Sequence, residues 1–181
     1  VEGNRDIKLS ISATTRRARQ SEIEGLHYFF ISTSQFQQMV SDNQFVEYAE
    51  VFANYYGTPK KMVEDEVKKG NLVLFDIDWQ GARQIVSKFN KEQIISFFIL
   101  PPSMEELYKR LQTRAEDSED IVLKRMQEAK SEMSHFDEYD YVLVNQDLEK
   151  TYQEIIALIK KPKLQKANCD DIKLFVHQLL K

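Results

Sequence analysis

Short apolar runs broken by polar loops alternate along this chain with stretches in which apolar residues recur every three or four positions, an alternation that predicts strands interleaved with helices. Ile7 to Ser12 and Tyr28 to Ile31 read as strands on either side of a basic loop, Thr14 to Gly25. Ser32 with Gln35 has the form of a capping box, and Phe36, Met39 and Val40 then share one face of a helix ending near Asn43. Phe45 to Phe52 predicts a strand carrying Glu47 and Glu50, which Asn54-Tyr55-Tyr56-Gly57 is expected to break. Thr58 is expected to cap the next helix, with Pro59 in its first turn and Gly70 left-handed beyond its last. Leu72 to Phe75 and Ile94 to Leu100 are continuous apolar runs, as in strands buried on both faces. A second capping box, Ser103 with Glu106, opens a helix through Leu107 and Leu111, and Asp120 to Met133 is helical again. Tyr141 to Val144 predicts a strand, and Leu148 to Ile159 and Asp171 to Leu180 complete an α/β pattern with a sheet of mainly parallel strands.

A chain of 181 residues with 42% hydrophobic and 30% charged residues is long enough for one domain with a real core. Its net charge of -4 argues against a nucleic-acid binder that works through a general basic footprint, so any phosphate site must be local. No run reaches the roughly 20 apolar residues of a membrane span, and a single cysteine, Cys169, excludes an intrachain disulfide. A cytoplasmic location is the expectation, and homo-oligomerisation is left open. Cys169, His135 and His177 stand in no metal-binding or nucleophilic pattern and read as structural.

The chemistry is expected beyond the carboxyl ends of the buried strands. Leu72 to Phe75 empties into Asp76-Ile77-Asp78-Trp79-Gln80-Gly81, whose two carboxylates suit either a hydrated magnesium ion or the cap of the following helix. The loop Thr14-Thr15-Arg16-Arg17-Ala18-Arg19 offers guanidinium forks, Arg16 and Arg19 above all, that either grip phosphate oxygens or face solvent. Tyr28 and Tyr56 can donate neutral hydrogen bonds to such a phosphate, or serve as core. Arg110 and Arg114, four apart, and Arg125 suit a mobile cluster that stabilises phosphoryl transfer; the plainer reading pairs them with Glu106, Glu116 or Asp117.

Together these stretches resemble guanylate kinases, in register from about Ser10 to Asp147. The blocks that carry the resemblance are Ser12-Ala13-Thr14-Thr15-Arg16 with Arg19, Glu22, Gly25 and Tyr28; Phe45-Val46-Glu47; Asn54-Tyr55-Tyr56-Gly57-Thr58; and Asp76 through Gly81. They continue with Pro101-Pro102-Ser103, Arg110 through Arg114, Lys124-Arg125-Met126 and Val144-Asn145. The resemblance implies a P-loop kinase fold in one domain, with a core (1–13, 71–109 and 133–181), an inserted mixed α/β GMP-binding region (14–70) and a helical lid (110–132). It implies transfer of the γ-phosphoryl group of ATP to GMP with Mg2+ present. Arg16, Arg19, Tyr28 and Tyr56 would then bind the GMP phosphate, while Ser12, Glu47, Thr58 and Asp78 would face guanine. Arg110, Arg114 and Asn145 would contact ATP, Arg16, Arg110, Arg114 and Arg125 would stabilise the transferring group, and Asp76 would order magnesium through water. Guanine chemistry agrees with the role of Glu47: a carboxylate accepts the adjacent N1–H and N2–H donors in parallel, whereas adenine offers an acceptor at N1.

The family's phosphate-cradling loop, G-x-x-x-x-G-K-[ST], does not occur; Gly3, Gly25, Gly57, Gly70 and Gly81 lie too far apart to form it. The resemblance implies that this loop belongs upstream of Val1, so a missing N-terminal segment is the expectation, and the polypeptide as written is expected to bind GMP but transfer phosphate poorly. Ala115 stands where the family usually has Gly, and Gln146 where it usually has Asp. The competing class is a catalytically inactive guanylate-kinase-like interaction module, which the absent loop favours and Asp78, Arg110 and Arg114 oppose. Adenylate and other nucleoside monophosphate kinases are opposed by Glu47 and Tyr55-Tyr56-Gly57.

Overall fold

The computed structural model describes residues 6–113, 119–160 and 170–180, which fall into two compact units, 1–90 and 91–181. In the first unit β1 (Ile7–Leu9) pairs in parallel with β6 (Leu72–Leu74). Beside this short ladder lies a four-stranded mixed sheet in the order β3-β2-β5-β4, built from β2 (Ala13–Thr14), β3 (Phe29–Phe30), β4 (Phe45–Val51) and β5 (Asn54–Pro59). Three helices complete the unit: α1 (Thr33–Ser41), α2 (Lys60–Lys68) and α3 (Trp79–Lys88).

The capping box of α1 forms as its sequence predicts, with Ser32 accepting from the Gln35 backbone and the Gln35 side chain accepting from Ser32 N–H. That fixes α1 with Phe36 inward, stacked 4.6 Å from Phe45 and 5.4 Å from Tyr55 over Ala13. These aromatic contacts are the core of the mixed sheet, and they occupy one of its faces.

Three expectations for this unit need correction. Asn54 to Gly57 does not end the strand pattern; it opens β5, because the chain reverses one step earlier, at Phe52 and Ala53, both left-handed (φ 54° and 58°). Such a two-residue turn matches the twist of a hairpin, but Phe-Ala carries none of the Asn-Gly chemistry that announces it. Thr58 does not cap α2: it lies in β5, its hydroxyl is committed to Glu47, and Pro59 occupies the cap position without a side-chain bond. Leu72 and Leu74 are 52% and 40% exposed, so this apolar run is not buried on both faces. Replacing Phe52-Ala53 by Asn-Gly is expected to raise the unfolding midpoint, since each left-handed non-glycine residue costs about 1–2 kcal/mol; an unchanged midpoint in a thermal melt would show that the turn carries no such strain.

The second unit pairs β7 (Phe97–Leu100) in parallel with β8 (Tyr141–Val144). Around them run α4 (Met104–Thr113), α5 (Glu119–Met133), α6 (Leu148–Lys160) and α7 (Asp170–Leu179). Leu100, Met133, Val176 and Leu179 form its core, with Phe98, Leu107, Phe136 and Val142 packed against them. The predicted capping box at α4 forms by half: Ser103 Oγ accepts from Glu106 N–H at 3.0 Å, while the Glu106 carboxylate is taken by Arg110. Among the described residues no helix is long and apolar enough to cross a membrane.

Candidate functional site

Strand alternation sorts the mixed sheet into two faces. Ala13, Tyr55 and Tyr48 point to the aromatic core, so Thr14, Tyr56 and Thr58 fall on the opposite face. Glu47 joins them because of a register shift: Phe45 pairs with Pro59 and Glu47 with Thr58, leaving Val46 as an extra residue. Without that bulge Phe45 and Glu47 would share a face; with it, Phe45 enters the core and Glu47 turns to the other side.

Glu47 is 3% exposed and accepts from Thr58 Oγ1 at 2.5 Å, and Thr58 lies 3.5 Å from Ser12 Oγ. Its second oxygen abuts α3 so closely that a Cβ added to Gly81 would meet Glu47 Oε2 at 2.6 Å. Burial, with the negative charge of Asp78 added to it, pushes the Glu47 carboxyl above the ordinary glutamate value. Asp78 is the cap of α3: one oxygen accepts from Gly81 N–H at 2.9 Å, the other from Gln80 Nε2 at 2.9 Å. The structure thus groups Ser12, Glu47, Thr58 and Asp78 around one buried carboxylate.

Two residues along β5, roughly 7 Å away, Tyr56 begins a second group. Its ring meets Tyr28 edge-on at 6.1 Å, and the Arg16 guanidinium lies over Tyr28 and Phe30 at 5.3 and 5.8 Å. Glu22 holds Arg16 through two parallel bonds of 2.9 and 2.7 Å and also accepts from Arg19 N–H at 2.7 Å, with the Arg19 guanidinium 3.8 Å away. The bonded Arg16 depresses the Glu22 carboxyl to about 2, and Glu22 in turn holds the guanidinium above its ordinary value. Burial raises the Tyr28 phenol, and the nearby charge of Asp76 raises it further. The sequence names Arg16, Arg19, Tyr28 and Tyr56 as one cluster, and they are one. It assigns no role to Glu22 as their holder, although a carboxylate three and six residues from two arginines in a single loop is the available signal.

Asp76 is exposed at the end of β6. Among the described residues no three acidic, histidine or cysteine side chains form a metal-holding group. A lone exposed carboxylate such as Asp76 is the kind of ligand that a largely hydrated magnesium ion takes beside substrate phosphates.

In the second unit Arg110 pairs with Glu106 at 2.9 Å and donates from Nη2 to the Asn145 carbonyl at 3.0 Å. Asn145 is fixed in turn by Thr151, whose hydroxyl lies 3.3 Å from its side-chain oxygen. Arg110 and Asn145 are therefore brought together. Arg125 lies half-buried on α5, and Arg114, Ala115, Glu116, Asp117 and Cys169 lie outside the described residues.

Residues 2–162 match the guanylate kinase family model. The chain is 44% identical over 180 residues to a guanylate kinase of Agrobacterium fabrum, covering 99% of this chain and 81% of that protein. To a guanylate kinase of Photobacterium profundum it is 49% identical over 160 residues, covering 88% of this chain and 76% of that protein. The crystal structure of guanylate kinase from Anaplasma phagocytophilum superposes with a TM-score of 0.75 at 40% identity, covering 88% of this chain and 77% of that one.

Proposed function

The chain belongs to the guanylate kinase family, and from that premise we propose that the face of the mixed sheet bearing Glu47 and Arg16 is its GMP site. The activity is phosphoryl transfer from ATP to GMP, giving ADP and GDP. An oxygen of the GMP phosphate attacks the γ-phosphorus and ADP leaves. No protein nucleophile is involved, and the protein supplies alignment and charge.

Ionised Glu47 accepts guanine N1–H and N2–H, while Ser12, Thr58 and Asp78 complete the polar surround of the base. Arg16, Arg19, Tyr28 and Tyr56 take the phosphate. The observation that carries this reading is the arrangement of Glu47 and Tyr56 on one face of one sheet, a buried carboxylate at one end and a guanidinium framed by two tyrosines at the other. Their separation of roughly 7 Å along the strand suits the ribose that lies between base and phosphate.

The GMP-binding region is assigned to 14–70, the lid to 110–132, and the core to the remainder. Arg110, Arg114, Arg125 and Asn145 are assigned to ATP and to the charge that develops on the transferring group. Magnesium, when bound, would neutralise phosphate charge, and Asp76 would help to hold it. These assignments rest on position within the family pattern, joined for Arg110 and Asn145 by the contacts described above.

A titration of the labelled protein with GMP, followed by amide NMR, tests the site. Shifts are expected at Thr14 to Arg19, Tyr56 to Thr58 and Gly81. Shifts confined to α1 and α2 would overturn it.

A further inference from the structure

Among the described residues β4 has one neighbouring strand, β5, so its outer edge leaves a row of N–H and carbonyl groups from alternate residues. Helix α3 meets that row with side chains. Lys88 Nζ donates to the Val46 carbonyl. Gln84 accepts from Tyr48 N–H at 3.2 Å and donates to the Tyr48 carbonyl at 2.7 Å. Gln80 reaches the Glu50 carbonyl at 3.5 Å. Four residues of helix advance about 6 Å and two residues of strand about 6.8 Å. A stripe at i, i+4 and i+8 on a helix running antiparallel to the strand therefore keeps step with alternate strand residues.

The Lys88 and Gln84 contacts bracket Glu47, one on Val46 and the other on Tyr48. Val46 is the residue at which the register shifts. A bulge is where a strand can slip, and a slip of one residue would carry Glu47 to the core face. We propose that Gln84 and Lys88 are positioning residues for Glu47: by pairing with the β4 edge as a neighbouring strand would, they hold the bulge at Val46 and so set the selectivity for guanine. The inference rests on the reading of Glu47 as the guanine-recognising carboxylate.

The test compares binding of GMP and of inosine monophosphate, which lacks the 2-amino group, by calorimetry on the full chain. Gln84→Leu preserves the helix and most of the volume. It is expected to weaken GMP roughly tenfold and inosine monophosphate much less, so that the preference between them falls. In a Glu47→Gln background the same substitution is expected to add no further loss, since the two act through one interaction. Equal weakening of both nucleotides, or losses that add fully to those of Glu47→Gln, would overturn the proposal. Lys88→Met keeps the apolar stem and removes only the ammonium, which provides a second reading if Gln84→Leu does not fold. Lys88→Arg, still able to donate to the Val46 carbonyl, is expected to keep the preference, and its loss there would also count against the proposal. Should Glu47→Gln alone leave GMP affinity untouched, the reading of the site fails, and this inference with it.

Discussion

Replacing Glu47 by Gln is expected to weaken GMP binding by about 2–3 kcal/mol, roughly 30- to 150-fold, with ATP affinity near its starting value. The amide keeps the shape of the side chain but loses the charge that strengthens both bonds to guanine, and it can present an N–H group to an N–H donor. The same change is expected to leave the thermal midpoint at neutral pH unchanged or raised. Burial pushes the Glu47 carboxyl upward, so the folded chain holds that proton more tightly than the unfolded chain. Stability from this group is present below the ordinary glutamate value and lost as pH rises through the raised one. Guanine recognition has the opposite sign: it needs the ionised form, and GMP affinity should fall as the solution is acidified through the raised value, with proton release on binding. Gln at position 47 abolishes that pH dependence. Calorimetry in buffers of different ionisation enthalpy measures both effects, and equal losses for GMP and ATP would dismiss Glu47 as the base-reading group.

How far the sequence discloses this site depends on which physical signal each residue leaves. Arg16, Arg19, Tyr28 and Tyr56 are candidates by residue type, with solvent-facing and core readings equally open to them, and it is the family resemblance that singles them out. The capping box at Ser32 and the left-handed Gly70 (φ 79°) are local features and appear where the chain predicts them. Features set by tertiary contact are not legible in this way. The hairpin turn at Phe52-Ala53 violates the usual turn chemistry, so the strand that carries Tyr56 and Thr58 reads as a break. Thr58 has the residue type of a helix cap and sits directly before Pro59, yet its hydroxyl serves Glu47 across the sheet. Most consequential is the bulge at Val46: strict alternation from Phe45 sends Glu47 into the aromatic core, and only the pairing with β5 reveals that it faces the other way. Gly81 gives no local sign that it makes room for a carboxylate 34 positions earlier in the chain.

Arg16→Ala is expected to weaken GMP by about 3 kcal/mol, on the order of 100-fold, while guanosine binding changes little. Glu22 engages the Arg16 fork through Nη1 and Nη2, and Nη1 also donates to the Arg17 carbonyl. A guanidinium has five N–H donors, and these contacts engage three of them, so a bound phosphate would share the group with Glu22. Truncation removes the phosphate contact and also leaves the Glu22 carboxylate, 10% exposed, with the Arg19 backbone N–H at 2.7 Å and the Arg19 guanidinium at 3.8 Å as its remaining partners. A fall in stability of about 1–3 kcal/mol should accompany the loss of affinity, since a nearly buried charge loses its main partner. The acid limb separates the two effects. In the intact protein the stability linked to Glu22 is present above the ordinary glutamate value and lost as pH falls through about 2; in Arg16→Ala that stability is smaller and its loss is complete at higher pH. Arg16→Lys restores the charge but not the fork and is expected to recover stability more than affinity. Guanosine and GMP losing affinity equally in Arg16→Ala would mean that the loop supports the fold without gripping the phosphate.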